Sequence, residues 1–205
     1  MEKKVITTPI KTEDIKDLRV GDMIYLTGMM ATCRDSGHAR RVREGVIPEK
    51  YEFAGNAIFH AGPIVKKDEK TGKYSMVSVG PTTSMRMEAF EADFIEQTGV
   101  KLIIGKGGMG DNTAAACKKY GALHCVLPGG CAVMAAEEVE EVEDVEWLDF
   151  GVPEALWICR VKEFGPLIVS IDTEGNNMFT QVKEDFNKAK EEQAAAVKPK
   201  VHYMK

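Results

Sequence analysis

Apolar residues change their spacing several times along this chain, and each change marks an element. Tyr74–Val79, Val100–Ile104, Leu123–Leu127 and Leu167–Ile171 are short apolar runs that read as strands, with Met23–Leu26 a shorter one. Elsewhere the spacing lengthens to that of helices. A run from Ser84 to Thr98 stops at Gly99 and carries Met87, Phe90 and Phe94 as a core stripe. A second helix leaves the loop Gly105–Asn112 and closes at Gly121, a short Ala-rich one ends near Glu138, and Pro153 opens another through Trp157 to Val161. Asp35–Glu44 reads as a helix with Arg34 at its N-terminal edge, and Thr12-Glu13-Asp14 starts a short helical turn. Lys66–Lys73 reads as a solvated hairpin connection, and the acidic run Glu137–Glu146 as a solvated face or edge without chemistry of its own. Strands and helices alternate after residue 74, so the pattern predicts a mixed α/β domain with part of its sheet parallel. The earlier half, richer in strand and loop, suggests a second sheet or an edge layer.

Composition narrows the classes. A chain of 205 residues with 44% apolar content can bury one sizeable core, and a net charge of −5 excludes the broad basic surface that holds nucleic acid or an anionic membrane. Met1-Glu2-Lys3-Lys4 leads into polar sequence, and no run approaches a membrane span, so the expectation is a soluble, cytoplasmic protein. Cys33, Cys117, Cys125, Cys131 and Cys159 are odd in number and contain no C-x-x-C pair. They suit reduced, buried thiols better than disulfides, and they give no support for a zinc or iron-sulfur site made by this chain alone.

Candidate chemistry concentrates at three junctions. Gly80-Pro81-Thr82-Thr83-Ser84-Met85-Arg86-Met87 joins a strand to a helix, where outward N–H groups and hydroxyls can hydrogen-bond an anion and an arginine can grip a carboxylate with two parallel bonds. Thr83 or Ser84 is alternatively a plain N-cap. Thr32 to Arg41 is equally dense in charge: Asp35 can hold the His38 ring, cap the helix or pair with Arg34. The third junction, Gly105-Lys106-Gly107-Gly108-Met109-Gly110, spells G-x-G-x-x-G between a strand and a helix. A dinucleotide fold would place an acid at the end of the next strand, yet that strand runs into Leu127-Pro128-Gly129-Gly130, and the lysine does not stand where a P-loop needs it. A simpler reading lets Gly105 and Gly107 bring backbone close to a small anion while Lys106 adds a charge. Loops at the carboxyl ends of strands tend to meet on one edge, so Arg34, Arg86 and Lys106 with Thr82, Thr83 and Ser84 would form a pocket for a small di-acid.

Thr32-Cys33-Arg34-Asp35-x-x-His38, Gly80-Pro81-Thr82-Thr83-Ser84-x-Arg86-Met87, Ile104-Gly105-Lys106-Gly107 and Ile171-Asp172-x-x-Gly175-Asn176 resemble, in order, the motifs of the iron-sulfur-dependent fumarate and tartrate hydratases (class I fumarase), specifically the β subunit or the C-terminal domain of one-chain forms. The resemblance runs from about Val5 to Phe179. It implies a three-layer swivelling β/β/α domain over residues 1–180 with a mixed sheet, followed by a polar, helix-prone tail over 181–205. It also implies reversible hydration of a dicarboxylate (fumarate/malate or tartrate/oxaloacetate), with a [4Fe-4S] cluster on a partner α subunit, no metal on this chain, a heterotetramer, and a homodimer when isolated. By motif, Arg34, Arg86 and Lys106 bind substrate together with Thr83, Ser84, Gly105 and Gly107. Thr82 sits at the carbon whose proton is transferred, and Lys106 is paired with it in catalysis. Asp35 and His38 support the site or carry a proton. Cys33 and Gly108-Met109 depart from the family pattern. Two other classes remain open at this point: a non-catalytic dicarboxylate-binding module, and a nucleotide-binding domain using Gly105, Gly107 and Gly110.

Overall fold

The computed structural model describes residues 3–197. Seven strands form one mixed sheet: β1 (Lys4–Thr7), β2 (Met23–Thr32), β3 (Ala57–Phe59), β6 (Leu102–Gly105), β7 (Leu123–Val126), β9 (Leu156–Ile171) and β8 (Val139–Glu146), in that spatial order. Strands β1, β2, β3, β6 and β7 are mutually parallel neighbours, whereas β9 runs antiparallel to β7, β8 and also β2. The β2–β9 pairing closes β2, β3, β6, β7 and β9 into a ring, so that none of these five presents a bare edge. The hairpin of β4 (Ile64–Lys67) and β5 (Tyr74–Ser78) forms a separate two-stranded sheet, the second sheet that the earlier half of the chain suggested.

Alternation along the strands divides the core in two. Leu102 and Ile104 of β6 join Phe59, Leu123, Cys125, Trp157 and Phe164 in one buried cluster, onto which Val65, Tyr74 and Met76 of the hairpin also pack. Ile103, between them, faces the other way, into a cluster with Ile58, Ile158 and Ile171 and with the helices α3 (Glu88–Thr98) and α4 (Asp111–Tyr120). Each fully buried Ile, Leu or Phe contributes about 1.5–3 kcal/mol, and so the two-period pattern is what holds both clusters in register. Helix α2 (Asp35–Glu44) lies beside α3. Both end on a left-handed glycine, Gly45 and Gly99, as α4 does on Gly121. The remaining helices are α1 (Thr12–Ile15), α5 (Ala132–Glu137) and the long α6 (Met178–Val197).

Four expectations change. The stretch Pro153–Val161 is not a helix; from Leu156 it is the first part of β9, because Leu156-Trp157-Ile158-Cys159 is buried on both faces between β2 and β8. β2 extends to Thr32 instead of stopping at Leu26, its register slipping on either side of Leu26. Tyr74–Ser78 belongs to the hairpin, not to the parallel sheet. The helix after Thr83 begins as a 3-10 turn, Ser84–Met87, and its buried stripe is Met87, Glu91, Phe94, Ile95 and Thr98; Phe90 is only half-buried, with the Arg43 guanidinium 4.7 Å above its ring. Up to Val197 the tail lies in α6, which begins at Met178, ahead of residue 181, and the rest of it lies outside the described residues. Among the described residues no helix is long and apolar enough to cross a membrane.

Candidate active site

β2, β3 and β6 run parallel and end at one edge of the sheet. Past β2, Arg34 takes an extended conformation at the N-cap of α2; past β6 comes Lys106, exposed. The Thr82 loop does not end a parallel strand and is drawn to this edge by main-chain hydrogen bonds. The Thr82 N–H donates to the His60 carbonyl at 2.7 Å, the Lys106 N–H to the Thr82 carbonyl at 3.2 Å, and the Ser84 N–H to the Lys106 carbonyl at 3.0 Å.

The side chains meet there. Arg86 donates to both oxygens of Asp35, at 2.9 and 2.7 Å, and its Nη2 donates to Thr82 Oγ1 at 2.9 Å. Arg34 Nε lies 3.2 Å from Asp35 Oδ2 and 2.7 Å from Glu154 Oε1. The hydrogen bonds from Arg86 outweigh partial burial and hold the Asp35 carboxyl well below the usual carboxylate range. Lys106 has no carboxylate partner among the described residues. Three cations against two carboxylates leave one net positive charge, on a face where the Arg86 and Asp35 side chains are 43% and 38% exposed. Incoming carboxylate oxygens can exchange with Asp35 and Glu154 for the two guanidinium groups while Lys106 meets further negative charge.

Not every candidate shares that face. Thr83 is exposed and its backbone bridges Lys106. Ser84 is fully buried, its Oγ 3.1 Å from His60 Nδ1, so its hydroxyl points inward. His38 is fully buried as well; Asp35 does not hold its ring, which instead meets the Arg34 carbonyl through Nδ1 at 3.0 Å and Glu91 through Nε2. Gly105 is packed: a Cβ there would stand 1.8 Å from Ser84 Oγ. Gly107 has φ +75 with open space around it, and is the glycine of the loop that the turn conformation requires.

Sequence reasoning missed Glu154, His60 and Glu91. Glu154 was assigned to a helix that does not form. Glu91 left a signal, a carboxylate four residues after Met87 and three before Phe94, interrupting the stripe that α3 buries. His38, His60 and Glu91 bring donor atoms within 4.8 Å of one another and are the set among the described residues that could hold a metal ion. Four of the cysteines, Cys33, Cys117, Cys125 and Cys159, are buried in two different core clusters, and Cys131 is apart from them, its Sγ donating to the Pro128 carbonyl. They do not come together as the ligands of an iron-sulfur cluster.

The G-x-G-x-x-G loop leads to a helix start that is already filled. Glu88 accepts the N–H groups of Gly110, Asn112 and Thr113 at 2.6, 3.1 and 3.3 Å, occupying the place a pyrophosphate would take at α4. Phe179 covers Gly108. The Asp172-x-x-Gly175-Asn176 motif is a closed turn, Asp172 accepting the Glu174 and Asn176 N–H groups at 3.0 Å each.

The sheet edge thus gathers two acid-paired arginines, a lysine and a threonine hydroxyl, groups whose chemistry suits small anions. The chain belongs to the Fumarase C-terminus family, which it matches over residues 2–182. It is 59% identical to the L(+)-tartrate dehydratase subunit beta of Escherichia coli (strain K12), over 99% of this chain and 100% of that protein. A Methanocaldococcus jannaschii protein provisionally named as a subunit of the same kind is 42% identical over 84% of this chain and 89% of its own length. A Geobacillus stearothermophilus protein provisionally named as a class I fumarate hydratase is 37% identical over 89% of this chain, which spans 35% of that longer protein.

Proposed function

We propose that this chain is the β subunit of a hydro-lyase that adds and removes water across a small dicarboxylate, of the fumarate/malate or tartrate/oxaloacetate kind. The observation that carries the reading is the single connected set Arg34–Asp35–Arg86–Thr82, with Lys106 hydrogen-bonded to the Thr82 main chain. Arg34 and Arg86 bind the two substrate carboxylates, Lys106 stabilises charge that develops on reaction, and Thr82 is the proton-transfer hydroxyl. A threonine is a weak base by itself. The guanidinium N–H donated to its Oγ1 stabilises that oxygen as its proton leaves, which is the direction the chemistry needs.

The cysteines here do not fit an iron-sulfur cluster, so the [4Fe-4S] group expected for the family belongs to a partner α subunit, in a heterotetramer, and no step on this chain runs through it. The fold is read as the three-layer swivelling β/β/α domain, with residues 1–180 as the working unit and 181–205 as a tail, and the protein as cytoplasmic. Arg86 and Lys106 are exposed and Arg34 is half-buried beside them, an arrangement that suits half of a cleft.

The test is co-expression with a cysteine-bearing partner chain and assay of fumarate hydration and tartrate dehydration. The complex is expected to be active and this chain alone colourless and inactive. Full hydratase activity from the isolated chain would overturn the division of labour, and an inactive, correctly assembled complex would overturn the reaction.

A further inference from the structure

Beneath the exposed cations lies a second group of charges that the reaction does not touch. Glu91, His38 and His60 are all fully buried, and both histidine Nε2 atoms face one oxygen of the carboxylate: His38 Nε2 at 3.2 Å and His60 Nε2 at 3.1 Å from Glu91 Oε2. A carboxylate held away from water needs a compensating charge. The outer ring nitrogens decide where the protons are. His38 Nδ1 is 3.0 Å from the Arg34 carbonyl, which can only accept, so Nδ1 carries a hydrogen; with Nε2 facing the Glu91 carboxylate at 3.2 Å, His38 is the group placed to supply the compensating charge. His60 Nδ1 meets the Ser84 hydroxyl at 3.1 Å, which can donate to it, leaving Nε2, 3.1 Å from Glu91 Oε2, as the nitrogen that carries the hydrogen. The other groups around the set are the Cys33 sulfur, 3.5 Å from His38 Nδ1, the Phe94 ring, 4.4 Å from the His38 ring, and His124 on β7, whose ring is 6.4 Å from that of His60. Burial opposes charge on His38 and Glu91 alike; the neighbouring Cys33 and Glu91 overcome it at His38, and His38 and His60 overcome it at Glu91, while His60 and His124 are pushed down by burial.

Every loop of the cation face hangs on a member of this set. The Arg34 carbonyl is held by His38, the Thr82 N–H by the His60 carbonyl, and Ser84, whose N–H holds the Lys106 carbonyl, by the His60 ring. We propose that His38, Glu91 and His60 form a buried, charge-paired brace that sets the positions of Arg34, of the turn carrying Thr82, Ser84 and Arg86, and of Lys106, and with them the spacing of the two guanidinium groups that grip the carboxylates. The three are positioning residues, and the proposal rests on the hydro-lyase reading.

Glu91→Gln keeps the volume and removes the charge, and His124→Gln is the control, since His124 is an equally buried histidine paired with Ser170 at 2.6 Å and tied to none of the loops. In the assembled complex, Glu91→Gln is expected to lower kcat/KM for the dicarboxylate tenfold or more, with KM rising. His124→Gln should lower Tm comparably and leave kcat and KM within twofold. In the isolated chain, imidazole 15N shifts should report His38 doubly protonated at pH 7.5 in the parent and neutral in Glu91→Gln, and the amide shifts of Arg34, Thr82 and Lys106 should move in Glu91→Gln and stay in His124→Gln. Unchanged kinetics in Glu91→Gln, a neutral His38 in the parent, or one equivalent of a divalent metal that copurifies with the parent and is lost from Glu91→Gln would each overturn the brace. An inactive parent complex overturns only the functional reading. The amide shifts then decide the brace, which fails if they do not move.

Discussion

Asp35 holds Arg86 through two parallel hydrogen bonds, Nε to Oδ1 at 2.9 Å and Nη2 to Oδ2 at 2.7 Å, across the gap between the first turn of α2 and the 3-10 turn ahead of α3. The fork of a guanidinium matches the two oxygens of a carboxylate, and the same fork faces any carboxylate that replaces Asp35. Its third contact, to Thr82, means that one side chain orients both the grip and the hydroxyl.

Arg86→Lys keeps the charge and loses the fork. With charge-assisted hydrogen bonds contributing about 1.5–3 kcal/mol each, kcat/KM of the complex is expected to fall about 100-fold, while Tm changes little because the position is partly exposed. Steady-state kinetics on the dicarboxylate check this, and a variant within threefold of the parent would remove Arg86 from the site.

Asp35→Asn tests the electrostatics through pH. The folded-state pKa of Asp35 is depressed, so its contribution is present above the unfolded value of about 3.9 and is lost as pH falls through the folded value. At pH 7 the parent should be more stable than Asp35→Asn by on the order of 1 kcal/mol after solvent screening, and the gap should close progressively in acid. Urea melts of the isolated chain between pH 7 and pH 2 measure it; a gap that does not shrink below about pH 4 would show that the lost packing, not the charge, was responsible.

Two glycines separated by Lys106 should behave differently. Gly105→Ala drives a methyl against Ser84 Oγ and, at 3.0 Å, against His60 Nδ1, inside the core, and is expected to cost about 3 kcal/mol or more, or to prevent folding. Gly107→Ala meets nothing and bears only the strain of φ +75, about 1–2 kcal/mol. Thermal melts of the pair decide it, and equal losses would contradict the packing described here.

Glu88→Ala uncovers the start of α4. Losing a carboxylate that accepts three backbone N–H groups and the Thr113 hydroxyl is expected to lower stability by about 1–3 kcal/mol, and Tm by about 3–10 °C, with kcat/KM nearly unchanged. NAD and ATP, whose binding the G-x-G-x-x-G spelling of Gly105–Gly110 suggests, should not raise the Tm of the parent chain.

Several elements were legible because their cause is local. The helices Asp35–Glu44, Glu88–Thr98 and Asp111–Tyr120 each stop at a glycine that alone enters the left-handed region easily, Glu88–Thr98 carries an apolar stripe, and β6 is an unbroken apolar run. Leu156–Val161 was misread because a short apolar run buried on both faces carries no period to separate strand from helix; contact with β2 and β8, both distant in sequence, makes it a strand.

The candidate site divides the same way. Residue types and order alone marked Arg34, Thr82, Arg86 and Lys106 as cations and a hydroxyl suited to a di-acid, since a guanidinium or an ammonium keeps its charge wherever it is exposed. Only the tertiary structure decided that Asp35 pairs with Arg86, that Glu154 joins Arg34, and that Ser84 and His38 turn inward toward His60 and Glu91. Which face a side chain takes at a junction is set by the strand pairing and main-chain bonds that bring distant loops together, and those distances are not written in the spacing of any one stretch.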